Sequence, residues 1–253
     1  MRTQFPKPDR VPWSSFPDVV LHAPVSAVKS HAEYWSAKSG NAEAAAHLVR
    51  ASMSEQALGA IAETAIPAKA VLVSVHAVEE FGTNAIPEAF ARAISETCGH
   101  LDVDESIVQI NIVSHTGASG FDRLARQALF DGTVQAGRSY VIVDDFVGQG
   151  GTIANLRGFI SKRGGDVILA VTLTGKPHSV KLVPYPDRIH TLRRKHGPQL
   201  ENWWQEEFGF DFSLLTASEA RYLESTADAN TIRNRIVEAK QAGVLGDSES
   251  GVR

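Results

Sequence analysis

Four short β-branched and apolar runs, separated by helix-compatible segments, constrain the fold of this chain more than any other feature. They are Ala70–Val75, Ile107–Val113, Tyr140–Val143 and Val167–Thr172. Each is close to continuously apolar, the pattern of strands covered on both faces. Between them, Pro87–Glu96, Phe121–Phe130 and Thr152–Lys162 read as helices, the first opened by a proline where helices tolerate one. Alternating strands and helices predict an α/β fold: a mostly parallel twisted sheet with helices on both faces.

The flanks differ from this middle. Pro6, Pro8, Pro12 and Pro17 surround Trp13 and Phe16, a composition that favours an extended arm docked on something through its aromatic residues. From Val25 to about Ala65 the chain reads as two or three helices broken near Ser39-Gly40-Asn41. After Gly175 come a proline-containing loop and a basic stretch, His190–His196, before helical signals return. Thr216-Ala217-Ser218-Glu219 is a capping-box sequence, and Asp228 caps a last helix through Ile232, Ile236 and Ala239. The expected organisation is a helical segment with its arm (1–65), a core (66–180) and a C-terminal helical segment (181–253). Neither flank is large enough to fold alone.

Composition narrows the function. A net charge of -4 offers no basic field to hold a nucleic-acid backbone, which argues against duplex binding as the main activity. A lone cysteine, Cys98, forms no internal disulfide and supports no cysteine-rich zinc framework, so a cytoplasmic setting is expected. No two of the nine histidines have HExxH spacing. The N-terminus lacks the apolar stretch of a signal peptide, and no run of about 18 apolar residues occurs, so neither secretion nor a membrane partner is expected.

The chemistry concentrates in Tyr140–Thr152, YVIVDDFVGQGGT, which leads into the helix-compatible Ile153-Ala154-Asn155-Leu156-Arg157. Glycines at 148, 150 and 151 allow tight turns and let backbone N–H groups approach a phosphate. A following helix start adds a favourable dipole, and Thr152 adds a hydroxyl. The paired carboxylates Asp144 and Asp145 cannot bind phosphate, but they accept hydrogen bonds from sugar hydroxyls or hold a water-bound Mg²⁺. Hydroxyls plus phosphate point to a phosphorylated sugar. A dinucleotide fingerprint fails because Ile153 stands where glycine is needed, and a Walker loop fails because Gly151 stands where lysine is needed.

This window resembles the phosphoribosyl-diphosphate (PRPP) motif of type I phosphoribosyltransferases. The resemblance implies Asp144 and Asp145 on the ribose 2- and 3-hydroxyls and Gly148, Gln149, Gly150, Gly151 and Thr152 around the 5-phosphate. It also implies Mg²⁺, with Asp144, Asp145 and Glu79 as its candidate partners. His76 and Ala77 fall at the family's pyrophosphate-loop position, in a loop that carries Glu79 and Glu80 and is longer and more acidic than a typical one. Gly82 and Asn84 in the same stretch read as readily as turn residues ahead of the Pro87 helix. His115–Arg126 falls at the family's mobile loop, where Arg123 and Arg126, with His115 behind them, would carry positive charge to the leaving pyrophosphate. The alternative is arginines exposed on an amphipathic helix.

The resemblance covers about residues 66–176 and leaves the flanks as candidates for the variable hood over the acceptor. Trp203, Trp204, Phe208 and Phe210 read either as a stacking platform for a base or, more commonly for such residues, as helix packing. The basic stretch reads as a solvated face or dimer contact. One position departs from the family: Gly148 stands where some members carry an acid or threonine, so a general base is unassigned. The implied activity is Mg²⁺-dependent phosphoribosyl transfer from PRPP to a nucleobase-like nitrogen acceptor by a homodimer. The alternative is a non-catalytic PRPP or nucleotide sensor.

Overall fold

The computed structural model describes residues 6–75, 78–79, 82–111, 113 and 119–250. After the arm come strand β1 (Val20–Ala23) and helices α1 (Val25–Lys29), α2 (Tyr34–Lys38), α3 (Ala42–Ser52) and α4 (Glu55–Ala65). The core then runs through β2 (Val71–Ser74), β3 (Val78–Glu79), β4 (Gly82–Thr83), α5 (Ile86–Thr97), β5 (Val103–Asp104), β6 (Val108–Gln109), α6 (Gly120–Ala125), β7 (Phe130–Asp131), β8 (Ser139–Val147), α7 (Gly151–Lys162) and β9 (Asp166–Gly175). Helices α8 (Pro186–His196), α9 (Pro198–Phe208), α10 (Ala217–Ser225) and α11 (Ala229–Ser250) follow.

Five strands form one parallel sheet in the order β1-β9-β8-β2-β5, so the fold is α/β, as the alternating runs predict. Strand geometry sends successive side chains to opposite faces. Leu72, Val141, Val143 and Val171 meet α3, α4 and α5 on one face, around Leu48, Ile61 and Phe90. Val73, Tyr140 and Ile142 meet α7 on the other, around Leu156, Phe159 and Ile160. Both faces are dry, which is why the strand sequences are continuously apolar.

The N-terminal flank holds four helices, and the break near Ser39–Asn41 is a true junction. Asn41 caps α3, its side chain accepting a hydrogen bond from the Ala44 N–H at 3.0 Å. The arm leads into β1, an edge strand that composition did not reveal, and its Trp13 and Phe16 pack against the α7 face.

Two expectations need correction. The described residues of the run Ile107–Val113 form no main-sheet strand. Val103–Asp104 takes the edge beside β2, and the run contributes only β6, which pairs antiparallel with the distant β7. The reason is facing: Ile107 and Gln109 turn inward while Val108 and Ile110 are exposed, so the run cannot be covered on both sides. The basic stretch, expected to precede the return of helical signals, is itself helical: it lies in α8, where Ile189 and Leu192 are buried and Arg193 pairs with Glu201.

Helices α8–α11 and α6 share a separate core around Trp204, Phe208, Phe210 and Phe212. These aromatics are buried packing, which removes them as a stacking platform. Among the described residues no helix is long and apolar enough to cross a membrane.

Candidate functional site

The site grows from a difference in strand length. β2 stops pairing with β8 at Ser74 and Val143, whereas β8 continues to Val147, held on its other side by β9. Asp144 and Asp145 therefore lie within a strand, just beyond the carboxyl end of its neighbour. From β2 the chain builds outward to β5 on one side, then returns to build β8 and β9 on the other. That reversal is the switch point at which open α/β sheets form ligand crevices.

β8 leads into a turn whose Gly150 has φ +79° and serves as the N-cap of α7 with no side-chain cap. A β-carbon at Gly150 would be strained by that φ and would strike Leu182. The first N–H groups of α7, unpaired within the helix, thus open onto the crevice with the positive end of the helix dipole.

The crevice is a cavity of about 230 Å³, on the small side for organic ligands and suited to a compact polar one. Asp144, Asp145, Gly148, Gln149, Gly150, Gly151 and Thr152 line it together with Arg123 and Arg126. The two arginines are thus brought to the acid pair, not left on a solvated helix face. The Arg123 guanidinium packs against Gly148, so a β-carbon there would require the arginine tip to shift. Arg126 Nε is buried with no hydrogen-bond partner among the described residues. A buried donor left unpaired carries a penalty that an anionic ligand in the crevice would relieve.

Lys38 Nζ lies 3.0 Å from Asp145 Oδ2. Burial, reinforced by the charge of Asp145, pushes the Asp144 carboxyl well above the usual carboxylate range. Burial acts the same way on Asp145, but the Lys38 ammonium, by charge and hydrogen bond, outweighs it with help from Asp144 and Asn84, and the carboxyl falls below its ordinary value. The two carboxyls are thus pushed in opposite directions, Asp144 toward the protonated form and Asp145 toward the ionised one. Lys29 lies over the Phe146 ring at 5.0 Å and also faces the cavity.

Behind the loop is a buried polar layer. Arg10 makes a two-pronged pair with Glu219 at 2.8 and 2.9 Å and also bonds Gln127 and Asn155. Glu219 accepts the Thr216 N–H at 2.8 Å, completing the capping box of α10, and the Thr216 hydroxyl donates to the Gln149 carbonyl at 2.6 Å. The C-terminal helices hold the backbone of the Gly148–Thr152 turn through this contact.

The described donors by themselves do not make a magnesium site. Among the described residues no three His, Cys, Asp or Glu side chains converge, and the more acidic carboxylate already carries an ammonium. His76, Ala77, Glu80, His115 and the side chain of Glu79 lie outside the described residues. The cavity residues that sequence reasoning missed are Lys29, Tyr34, Lys38, Gln109, Gln127 and Glu219. Of these only Glu219 had a local signal, its capping box, and nothing in that signal shows a partner far upstream.

No family model matches the chain. It is 36% identical over 242 residues to Protein TraN of Escherichia coli and 38% identical over 154 residues to an uncharacterized protein of Haemophilus influenzae. These matches cover 96% and 60% of this chain but 54% and 34% of the relatives, so the chain spans about half the length of the first. Among solved structures, a purine phosphoribosyltransferase from Pyrococcus horikoshii aligns with 51% of this chain and 78% of its own at 23% identity, with a TM-score of 0.34.

Proposed function

We propose that the chain binds PRPP and transfers its phosphoribosyl group to a nucleobase-like nitrogen acceptor, releasing pyrophosphate. One observation carries this reading: the acid pair Asp144–Asp145 and a helix N-terminus with no side-chain cap line one small cavity together with two arginines. The backbone of Gly148–Thr152 and the Thr152 hydroxyl would take the 5-phosphate. Asp144 and Asp145 would hold the 2- and 3-hydroxyls, fixing the ribose while positive charge develops at its anomeric carbon. The C–O bond to pyrophosphate breaks, a C–N bond forms, and the acceptor nitrogen gives up its proton. Arg123 and Arg126 would offset the charge gathering on the leaving group. A cytoplasmic homodimer accompanies this reading, resting on the buried lone thiol of Cys98 and the prevalence of two-fold oligomers.

Calorimetric titration with PRPP tests the site. The double variant Asp144→Asn, Asp145→Asn should weaken binding at least about 100-fold by replacing the carboxyls with neutral amides, with the fold retained by circular dichroism. Unchanged affinity would sink the assignment.

A second reading, a PRPP or nucleotide sensor without transfer activity, draws on Gly148. Arg123 fills the place where some family members carry a reactive side chain. Pyrophosphate release that depends on an added acceptor supports the transferase, whereas tight binding without release supports the sensor.

A further inference from the structure

We propose that Lys38 is the built-in cation of the acid pair, so that the site binds a phosphorylated pentose without a divalent metal. This rests on the pentose-phosphate reading above and specifies how that site is neutralised.

Lys38 comes from α2, 107 residues from its partner in sequence, and its side chain and that of Asp145 are only 15% and 14% exposed. A pair this far from water is held by fold-scale placement, and removing one member leaves a costly buried charge. The remaining oxygens are partly committed too: Asp144 Oδ1 accepts the Asp145 N–H at 2.8 Å, and Asn84 bonds Asp145. Mg²⁺ requires near-octahedral oxygen ligands at roughly 2.0–2.1 Å, and an ammonium on the same carboxylate would repel it at short range. Tyr34, one helical turn before Lys38, faces the same cavity, so α2 presents a constructed face to the site.

The charge balance agrees. Glu219 is neutralised from behind by Arg10, which leaves Lys29, Lys38, Arg123 and Arg126 facing Asp144 and Asp145 among the described lining residues. The described lining thus carries more positive than negative charge, which suits a phosphate monoester without a metal ion to neutralise it.

Ribose 5-phosphate is the appropriate probe, because it lacks the diphosphate that would carry Mg²⁺ in by itself. Titration of the intact chain should give affinities within about twofold in EDTA and in millimolar Mg²⁺. Lys38→Met should lose at least about tenfold in EDTA, and Lys38→Arg, which keeps the charge, should recover most of that loss. Binding by the unaltered chain that vanishes in EDTA and returns with Mg²⁺ overturns the inference and leaves the pentose-phosphate reading intact. This comparison needs no variant to fold. Failure to bind either ribose 5-phosphate or PRPP under both conditions removes that reading and the inference together.

Discussion

The two helical flanks supply the site with positive charge in different ways. The N-terminal helices are continuous with the sheet core: Leu48, Val49 and Ile61 share one apolar cluster with Leu72, Val141 and Val171. From that attachment α1 and α2 deliver Lys29 and Lys38. The C-terminal helices have their own core around Trp204, which includes Leu124 of α6, the helix that carries Arg123. They meet the Gly148–Thr152 turn through the Thr216 hydroxyl on the Gln149 carbonyl, and Glu219 beside it is paired with Arg10 of the N-terminal arm. Apolar attachment tolerates loss by degrees, because each methyl group contributes separately. A buried ion pair behaves as a unit, because either half alone is a desolvated charge.

That contrast breaks most visibly at Arg10. Arg10→Ala strands Glu219, whose side chain is 2% exposed, and should cost about 3–5 kcal/mol in urea unfolding. Combining Arg10→Met with Glu219→Leu should recover most of the loss. A cost for Arg10→Ala below about 1 kcal/mol, as for exposed pairs, would erase the distinction between the flanks. On the apolar side, Leu48→Ala should cost about 3 kcal/mol with no second substitution that restores it, read by the same unfolding midpoint.

The smallest effect is pH-dependent and belongs to the N-terminal attachment. His22 on β1 accepts the Ser54 N–H and packs edge-on against Phe90 at 4.9 Å, and burial lowers its pKa from 6.5 to about 4. The unfolded chain therefore takes up this proton first. The stabilisation is complete above pH 6.5 and declines as pH falls toward about 4, by on the order of 2–3 kcal/mol. His22→Gln should flatten that part of the stability curve. An unchanged slope would show that the decline arises elsewhere.

Much of the fold could be read from local pattern. The runs at Ala70–Val75, Tyr140–Val143 and Val167–Thr172 are sheet strands because burial on both faces leaves its mark on consecutive residues. Ile107–Val113 misled because an apolar run does not say whether its two faces are both covered. The Trp203–Phe210 aromatics were ambiguous for a similar reason, since burial against their own helices and stacking on a ligand call for the same residue types.

By itself, the sequence determined the α/β class and the strand–turn–helix unit from Tyr140 to Arg157, because a strand, a glycine turn and a helix start are contiguous in the chain. Only the tertiary structure decided what faces that unit. Lys38 reaches Asp145 across 107 residues and Arg10 reaches Glu219 across 209, contacts that leave no period or spacing in the chain. Their charges acquire partners, and their environment its low dielectric, only when the two flanks close on the carboxyl end of the sheet.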